Sequence, residues 1–248
     1  MFKSLFLINQ WFRSYSTKSY KELHYISDIH LEYRITIPKI SKKGDYLALL
    51  GDIGNPFKHS YKDFIQHISG AYEKIFLLTG NHEYWWNSDM QKVDDKIKSI
   101  ANNFSNVYFL NNDVHYISND YVILGTTLWS CVYNPTPKMK FYNNLFVKNV
   151  QWIEEQINKH SKKKIIMITH HLPSYKLIIK KYRTPSYQNI LDRYASHLDY
   201  LIKPPIKYWL CGHSHCILET FINGVYCGIN ASDFRQNQSL LIPKIIII

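Results

Sequence analysis

Leu47-Ala48-Leu49-Leu50-Gly51-Asp52-Ile53-Gly54-Asn55 is the stretch whose reading decides the fold. An unbroken apolar run ending in Gly-Asp is the signature of a central strand, covered on both faces, that delivers a carboxylate to the rim of its sheet. Open α/β folds keep their ligand sites on that rim. Taken alone, such an Asp more often caps the turn or helix that follows than touches a ligand. Asp52 acquires another meaning because the construction recurs along the chain.

On the N-terminal side, His24-Tyr25-Ile26-Ser27 reads as a strand leaving into Asp28-Ile29-His30-Leu31-Glu32. On the C-terminal side, Ile75-Phe76-Leu77-Leu78 leaves into Gly80-Asn81-His82-Glu83, Ile165-Ile166-Met167-Ile168 into Thr169-His170-His171, and Tyr208-Trp209-Leu210-Cys211 into Gly212-His213-Ser214-His215. Between these strands, Phe64, Ile65 and Ile68 give helical spacing over 61–72, and a second helix is expected from Ser88, as N-cap, to about Ala101. Residues 107–110 and 121–129 read as strands, 130–143 as irregular, and Phe146, Val147, Val150, Ile153 and Ile157 as the core face of another helix. A basic loop over 174–185 precedes a helix expected over 186–201 with Ser186 as N-cap. Asn223-Gly224 between two apolar runs is a hairpin turn, because both central positions need positive φ. Strands alternating with helices, then a hairpin, indicate an α/β fold with a mixed sheet.

With 248 residues, 46% of them hydrophobic, and no Pro/Gly/Ser linker, the chain reads as a single domain. A net charge of +11 attracts any anion, whether nucleic acid, phosphorylated metabolite or acidic membrane, without choosing among them. Four cysteines without a CxxC pair make neither a disulfide framework nor a zinc ribbon. No apolar run is long enough to cross a bilayer. Residues 1–21 alternate Phe, Leu and Trp with Lys and Arg and hold no acid, the composition of an organelle transit peptide; a plain N-terminal extension is the alternative. The expectation is a soluble intracellular protein, cytoplasmic, or mitochondrial if that segment is a transit peptide.

The strand exits together carry Asp28, His30, Asp52, Asn81, His170, His213 and His215. Imidazoles and carboxylates with one amide and no thiolate suit Mn²⁺, Fe or Zn²⁺ in an open site rather than a structural zinc. Seven ligands exceed one ion but serve two if one carboxylate is shared.

D-x-H, G-D, G-N-H-[DE], a lone His after a strand, and G-H-x-H stand in that order from residue 28 to residue 215, and so the sequence resembles the calcineurin-like metallophosphoesterase superfamily. Ser27 to Glu32, Gly125-Thr126-Thr127-Leu128-Trp129 and His170-His171-Leu172-Pro173-Ser174 further resemble a bacterial-type branch of predicted phosphohydrolases. The resemblance implies two facing mixed β-sheets flanked by helices, with residues 22–248 forming the metallophosphoesterase domain. It implies that Asp28, His30 and His215 hold one divalent metal ion, that Asn81, His170 and His213 hold another, and that Asp52 bridges them. It assigns His82 as the proton donor or phosphate stabiliser, and the reaction as hydrolysis of a phosphomonoester or phosphodiester by water that the ions activate. The partner is then a phosphorylated small molecule; nucleic acid, and a non-catalytic scaffold, are the rival readings. His171 is expected to pack or hydrogen-bond rather than touch substrate, and Cys211 and Cys216 to act as small buried hydrophobes; Tyr84, Trp85 and Trp86 either wall a pocket that stacks a base or other ring or pack in the core, and are left out of the site.

Overall fold

The computed structural model describes residues 20–41, 44–232 and 239–248. In chain order the strands are β1 (Glu22–Ile26), β2 (Lys39–Ile40), β3 (Gly44–Leu50), β4 (Tyr72–Leu78), β5 (Val107–Phe109), β6 (Asp113–Tyr116), β7 (Tyr121–Thr126), β8 (Lys164–Thr169), β9 (Ile206–Cys211), β10 (Ile217–Ile222), β11 (Val225–Asn230), β12 (Leu240–Leu241) and β13 (Lys244–Ile247). The α-helices are α1 (His59–Ser69), α2 (Met90–Ala101) and α3 (Pro137–Lys159). One sheet runs β13-β1-β3-β4-β5, a second runs β10-β11-β9-β8-β7-β6, and β12 pairs with β2. Both large sheets are mixed: parallel in the middle, with β13 antiparallel at one edge of the first and β6 and β10 antiparallel at the two edges of the second.

Alternation along the strands explains why they read as continuous apolar runs. Leu47 and Leu49 of β3, with Ile75 and Leu77 of β4, join Phe64, Ile65, Val93 and Ile97 of α1 and α2. Their neighbours Ala48, Leu50, Phe76 and Leu78 turn the other way and meet Ile166 and Ile168 of β8 and Leu210 of β9. The far side of the second sheet, through Ile165, Met167 and Trp209, is covered by Ile153 of α3 and by residues 172–202. Two sheets thus face each other across an apolar core, with helices outside. Apart from the buried His24 of β1, the middle strands are mainly apolar on both faces, and the polar residues of the site are left to the strand ends.

Several local expectations need correction. The α2 N-cap is Asp89, not Ser88; its carboxylate accepts from the Gln91 and Lys92 amides. Part of the segment read as irregular belongs to α3, which starts at Pro137 behind Thr136, whose hydroxyl accepts from Met139 N–H. Thr-Pro is a helix start in its own right. The helix expected over 186–201 is a 3₁₀ segment, Pro185–Arg193, with no side-chain cap. The chain then straightens because Leu172 and Ala195 form a bridge, with Leu172 N–H donating to Tyr194 O and Ser196 N–H to Leu172 O. Long-range pairing has overridden local periodicity there. The hairpin stands as read: Asn223 and Gly224 have φ of 49° and 80°. The expectation for residues 1–21 falls almost wholly outside the described residues. Among those described, no helix is long and apolar enough to cross a membrane.

Candidate metal centre

Five strand exits converge on one rim, and the backbone there is unusual. Among the described residues, eight that are not glycine have positive φ, and five of these are Asp28, His30, Asp52, His213 and His215. Left-handed backbone costs an L-residue about 1–2 kcal/mol, so its concentration at these positions marks side chains aimed by the fold rather than placed by local preference. Glycine supplies the close approaches. Gly51 has φ +85°, and a Cβ there would stand 2.6 Å from His170 Nδ1. A Cβ on Gly80 would collide with Asp52 Oδ1.

The side chains fall into two overlapping clusters. Asp28, His30, Asp52 and His215 bring one candidate ligand atom each within 4.8 Å of one another, and so do Asp52, His170 and His213. Asp52 is common to both. Its Oδ2 lies 3.7 Å from His30 Nε2 and 3.4 Å from His170 Nε2, while Oδ1 accepts from His82 N–H at 2.8 Å. Asn81 Oδ1 is 3.2 Å from His170 Nε2, joining the second cluster. His215 Nε2 stands 3.3 Å from both Asp28 Oδ1 and His30 Nε2. Asp28, His30, Asp52 and His170 are almost wholly buried, and His215 lies at the exposed mouth.

Hydrogen bonds on the far side of each ring set its tautomer. His170 Nδ1–H donates to Leu50 O at 2.8 Å, His30 Nδ1–H to Glu32 Oε1 at 2.9 Å, and His213 Nε2–H to Arg193 O at 3.2 Å. Each bond turns the other ring nitrogen toward the cluster, where it would coordinate in its neutral form. Asp28 Oδ2 accepts from Ser27 Oγ and from His213 N–H, but Asp28 Oδ1 is buried and makes no hydrogen bond among the described residues, with His215 Nε2 beside it. Acceptor oxygens and nitrogen lone pairs crowded into a buried pocket are stable only with protons or cations between them. The donor set therefore fits two divalent ions.

The charges respond accordingly. Burial opposes ionisation of Asp52, but the facing His170 outweighs it and holds the carboxyl well below the usual range. Burial also opposes charge on His170, and Asp52 more than offsets this, raising that ring to about 9. His213 moves the other way, down to about 3, through burial and then the charge on His170. In the metal-free protein His170 is thus protonated at neutral pH, yet a ligand must be neutral. Metal binding is accordingly expected to release about one proton per chain near neutral pH, a release that fades as pH rises through about 9. Calorimetric titration in buffers of different ionisation enthalpy measures it; a heat independent of buffer would contradict the assignment.

Two glutamates complete the centre, and the sequence reading gave neither a role. Glu83 is fully buried and accepts from the N–H groups of Asp52, Ile53 and Gly80 at 2.7–3.1 Å, with Gly54 at 3.4 Å. It ties the Gly-Asp loop to the Gly-Asn-His-Glu loop. Burial and the neighbouring Asp52 push its carboxyl up to about 7, against the backbone donors that favour the ionised form. Glu32 accepts from both His30 and His82. Burial would raise its carboxyl, but those two hydrogen bonds prevail and hold it low.

Residues 23–216 match the calcineurin-like phosphoesterase family model. The chain belongs to that family. It is 33% identical to uncharacterized protein L509 of Acanthamoeba polyphaga mimivirus, over 89% of this chain and 94% of that one. It is 25% identical to a probable glycerophosphodiester phosphodiesterase, GpdQ, of Arcobacter nitrofigilis, over 81% and 67%. Among solved structures, the phosphopantetheinyl hydrolase PptH of Mycobacterium tuberculosis superposes with a TM-score of 0.61 at 12% identity, covering 87% of this chain and 90% of that one. That likeness is one of fold.

The neighbours of the site sort themselves by burial. His171 is buried, its ring 4.1 Å from that of His213 and 5.4 Å from that of Trp129, and burial holds it well below the ordinary imidazole range. Cys211 is a buried hydrophobe and Cys216 is partly buried. Core packing accounts for Tyr84 but not for Trp85 and Trp86, which are 60% and 42% exposed.

Proposed function

We propose that this calcineurin-like phosphoesterase hydrolyses a small phosphomonoester or phosphodiester at a dinuclear centre held by Asp28, His30, His215, Asp52, Asn81, His170 and His213. The observation that carries the reading is the Oδ2 of Asp52 standing between His30 and His170, where one carboxylate oxygen serves both clusters. Two divalent ions, when bound, supply charge neutralisation of the phosphoryl oxygens and water of lowered pKa. The chain's own residues do the rest. His30, His170 and His213, each anchored by a hydrogen bond through one ring nitrogen, would hold the ions through the other. His82, hydrogen-bonded through its backbone to Asp52 and through Nδ1 to Glu32, offers Nε2 to the leaving oxygen.

Arg193, whose carbonyl receives the His213 bond, also lines a cavity of about 1450 Å³ walled by Cys131, Tyr133, Phe146, Tyr175 and Leu198. That lining, in which these apolar and aromatic side chains stand with Arg183, Asp192, Ser196 and His197, offers both apolar and polar contacts to the organic part of an ester. The likeness to a protein named as a glycerophosphodiester phosphodiesterase supports a small diester among the candidates.

A nuclease would draw on the basic loop over 174–185, part of whose side-chain geometry is fixed within the chain. Arg183 donates to Ile178 O and Lys176 O, and Lys176 pairs with Asp199 at 2.7 Å. A panel of aryl and alkyl mono- and diesters, nucleotides and single-stranded DNA and RNA, assayed with Mn²⁺, tests the reading. Turnover of small esters with little dependence on salt is expected. Activity confined to nucleic acid and falling steeply with salt would establish the nuclease instead, and a flat panel would leave a scaffold.

A further inference from the structure

His82 is held from three directions. Its backbone N–H is fixed to Asp52 Oδ1, its Nδ1 lies 3.2 Å from Glu32 Oε1, and one face of its ring is covered by the Trp85 indole, centroids 3.5 Å apart and 29° from parallel. The same Glu32 oxygen is 2.9 Å from His30 Nδ1, and the His30 and His82 rings meet edge to face at 4.4 Å. The Glu32 side chain is 4% exposed, so water does not compete for its carboxylate. An ionised carboxylate only accepts, so each ring must present an N–H to it. His82 is thereby fixed with its proton on Nδ1 and its Nε2 turned away from Glu32. Trp85, itself 60% exposed, removes the freedom to rotate about that bond.

We propose that Glu32 is the positioning residue for His82 as well as the anchor of His30, coupling the proton donor to the metal centre through one shared carboxylate oxygen, with Trp85 as the shelf on which the donor ring lies. The inference rests on the role given to His82 above. In the step it serves, water oxygen bonds to phosphorus and the P–O bond to the alcohol breaks. The leaving oxygen keeps the electron pair and takes the proton from His82 Nε2. The ring is left neutral, still donating through Nδ1 to Glu32, and the proton shed by the attacking water returns to Nε2 through solvent. The donating form carries protons on both nitrogens, with Nδ1–H held by Glu32 so that Nε2–H points away from it; a ring turned away from the leaving oxygen donates nothing, so the benefit falls on esters whose leaving alkoxide most needs a proton.

Two measurements test this independently. In the metal-free protein, nitrogen-15 NMR of the neutral His82 ring is expected to show the Nδ1–H tautomer, and Glu32→Leu to give a mixture dominated by Nε2–H. This readout needs no activity, so it stands even if the proposed hydrolysis fails. At saturating metal, with two ions per chain confirmed by elemental analysis, Glu32→Leu is expected to lower turnover of an alkyl ester by about 100-fold and of a p-nitrophenyl ester by less than about tenfold. Added to His82→Ala, it is expected to cost the alkyl ester nothing further. Glu32→Gln, which restores an acceptor oxygen without charge, recovers part of the loss and also serves if the leucine variant does not fold. An Nε2–H ring in the wild-type protein, an equal loss on both esters, or additive losses in the double variant would each overturn the proposal and leave Glu32 as an anchor of His30 alone.

Discussion

Asp52→Asn is expected to lower turnover by roughly a thousandfold, the rate equivalent of the about 4 kcal/mol lost when one partner of a buried ionic cluster is removed. The substitution hardly changes shape. Oδ1 of Asp52 already accepts the His82 N–H, so the asparagine carbonyl will keep that bond and turn its amide NH₂ into the place of Oδ2. There it faces His30 Nε2 and His170 Nε2, at 3.7 Å and 3.4 Å in the native geometry, and presents hydrogens where a cation needs an electron pair. Elemental analysis after dialysis is expected to find fewer than two ions per chain. Two tightly held ions would mean that another residue is the bridge.

Glu83→Ala is expected to act through stability rather than chemistry, lowering it by about 4 kcal/mol, since each buried donor left without a partner costs about 1–3 kcal/mol. For a chain of this size that is a drop in Tm of roughly 10 °C. The N–H groups of Asp52, Ile53 and Gly80 lose a buried acceptor at once, and the two loops that carry Asp52, Asn81 and His82 lose a carboxylate that joins them. Part of the loss is offset, because a carboxyl pushed up to about 7 already carries strain from burial and from Asp52. Thermal unfolding of the metal-free protein measures the effect free of ligand contributions. A Tm within about 2 °C of the native value would show that water satisfies those amides.

The contrast between these two carboxylates shows what a sequence discloses. Asp52 was legible because it ends an apolar run, and a strand covered on both faces has nowhere to put a charge except its end. The same logic exposed Asp28, Asn81, His170, His213 and His215. Glu83 sits one residue beyond His82 in the same motif, but three of its partners are backbone amides 29 to 31 residues away, and no side-chain pattern records an amide. Glu32 was visible beside His30, yet its second contact, to His82 fifty residues on, depends on how two loops pack. The fold behaves alike. Middle strands were readable from their runs, whereas β6, polar and at an edge, and β13, paired antiparallel with β1 across the length of the chain, depend on their partners. Residues 186–201 show the converse error, in which helical spacing yielded to a bridge between Leu172 and Ala195. The left-handed backbone at Asp28, His30, Asp52, His213 and His215 was equally hidden, because none of the five is glycine.

The centre itself is tested most directly by stripping the protein of metal and following hydrolysis of a p-nitrophenyl phosphoester as Mn²⁺ is returned in measured equivalents per chain. If Asp52 joins two clusters into one catalytic unit, activity is absent without metal and rises to its plateau at two equivalents. A plateau at one equivalent, or turnover that persists in the stripped protein, would contradict the shared centre.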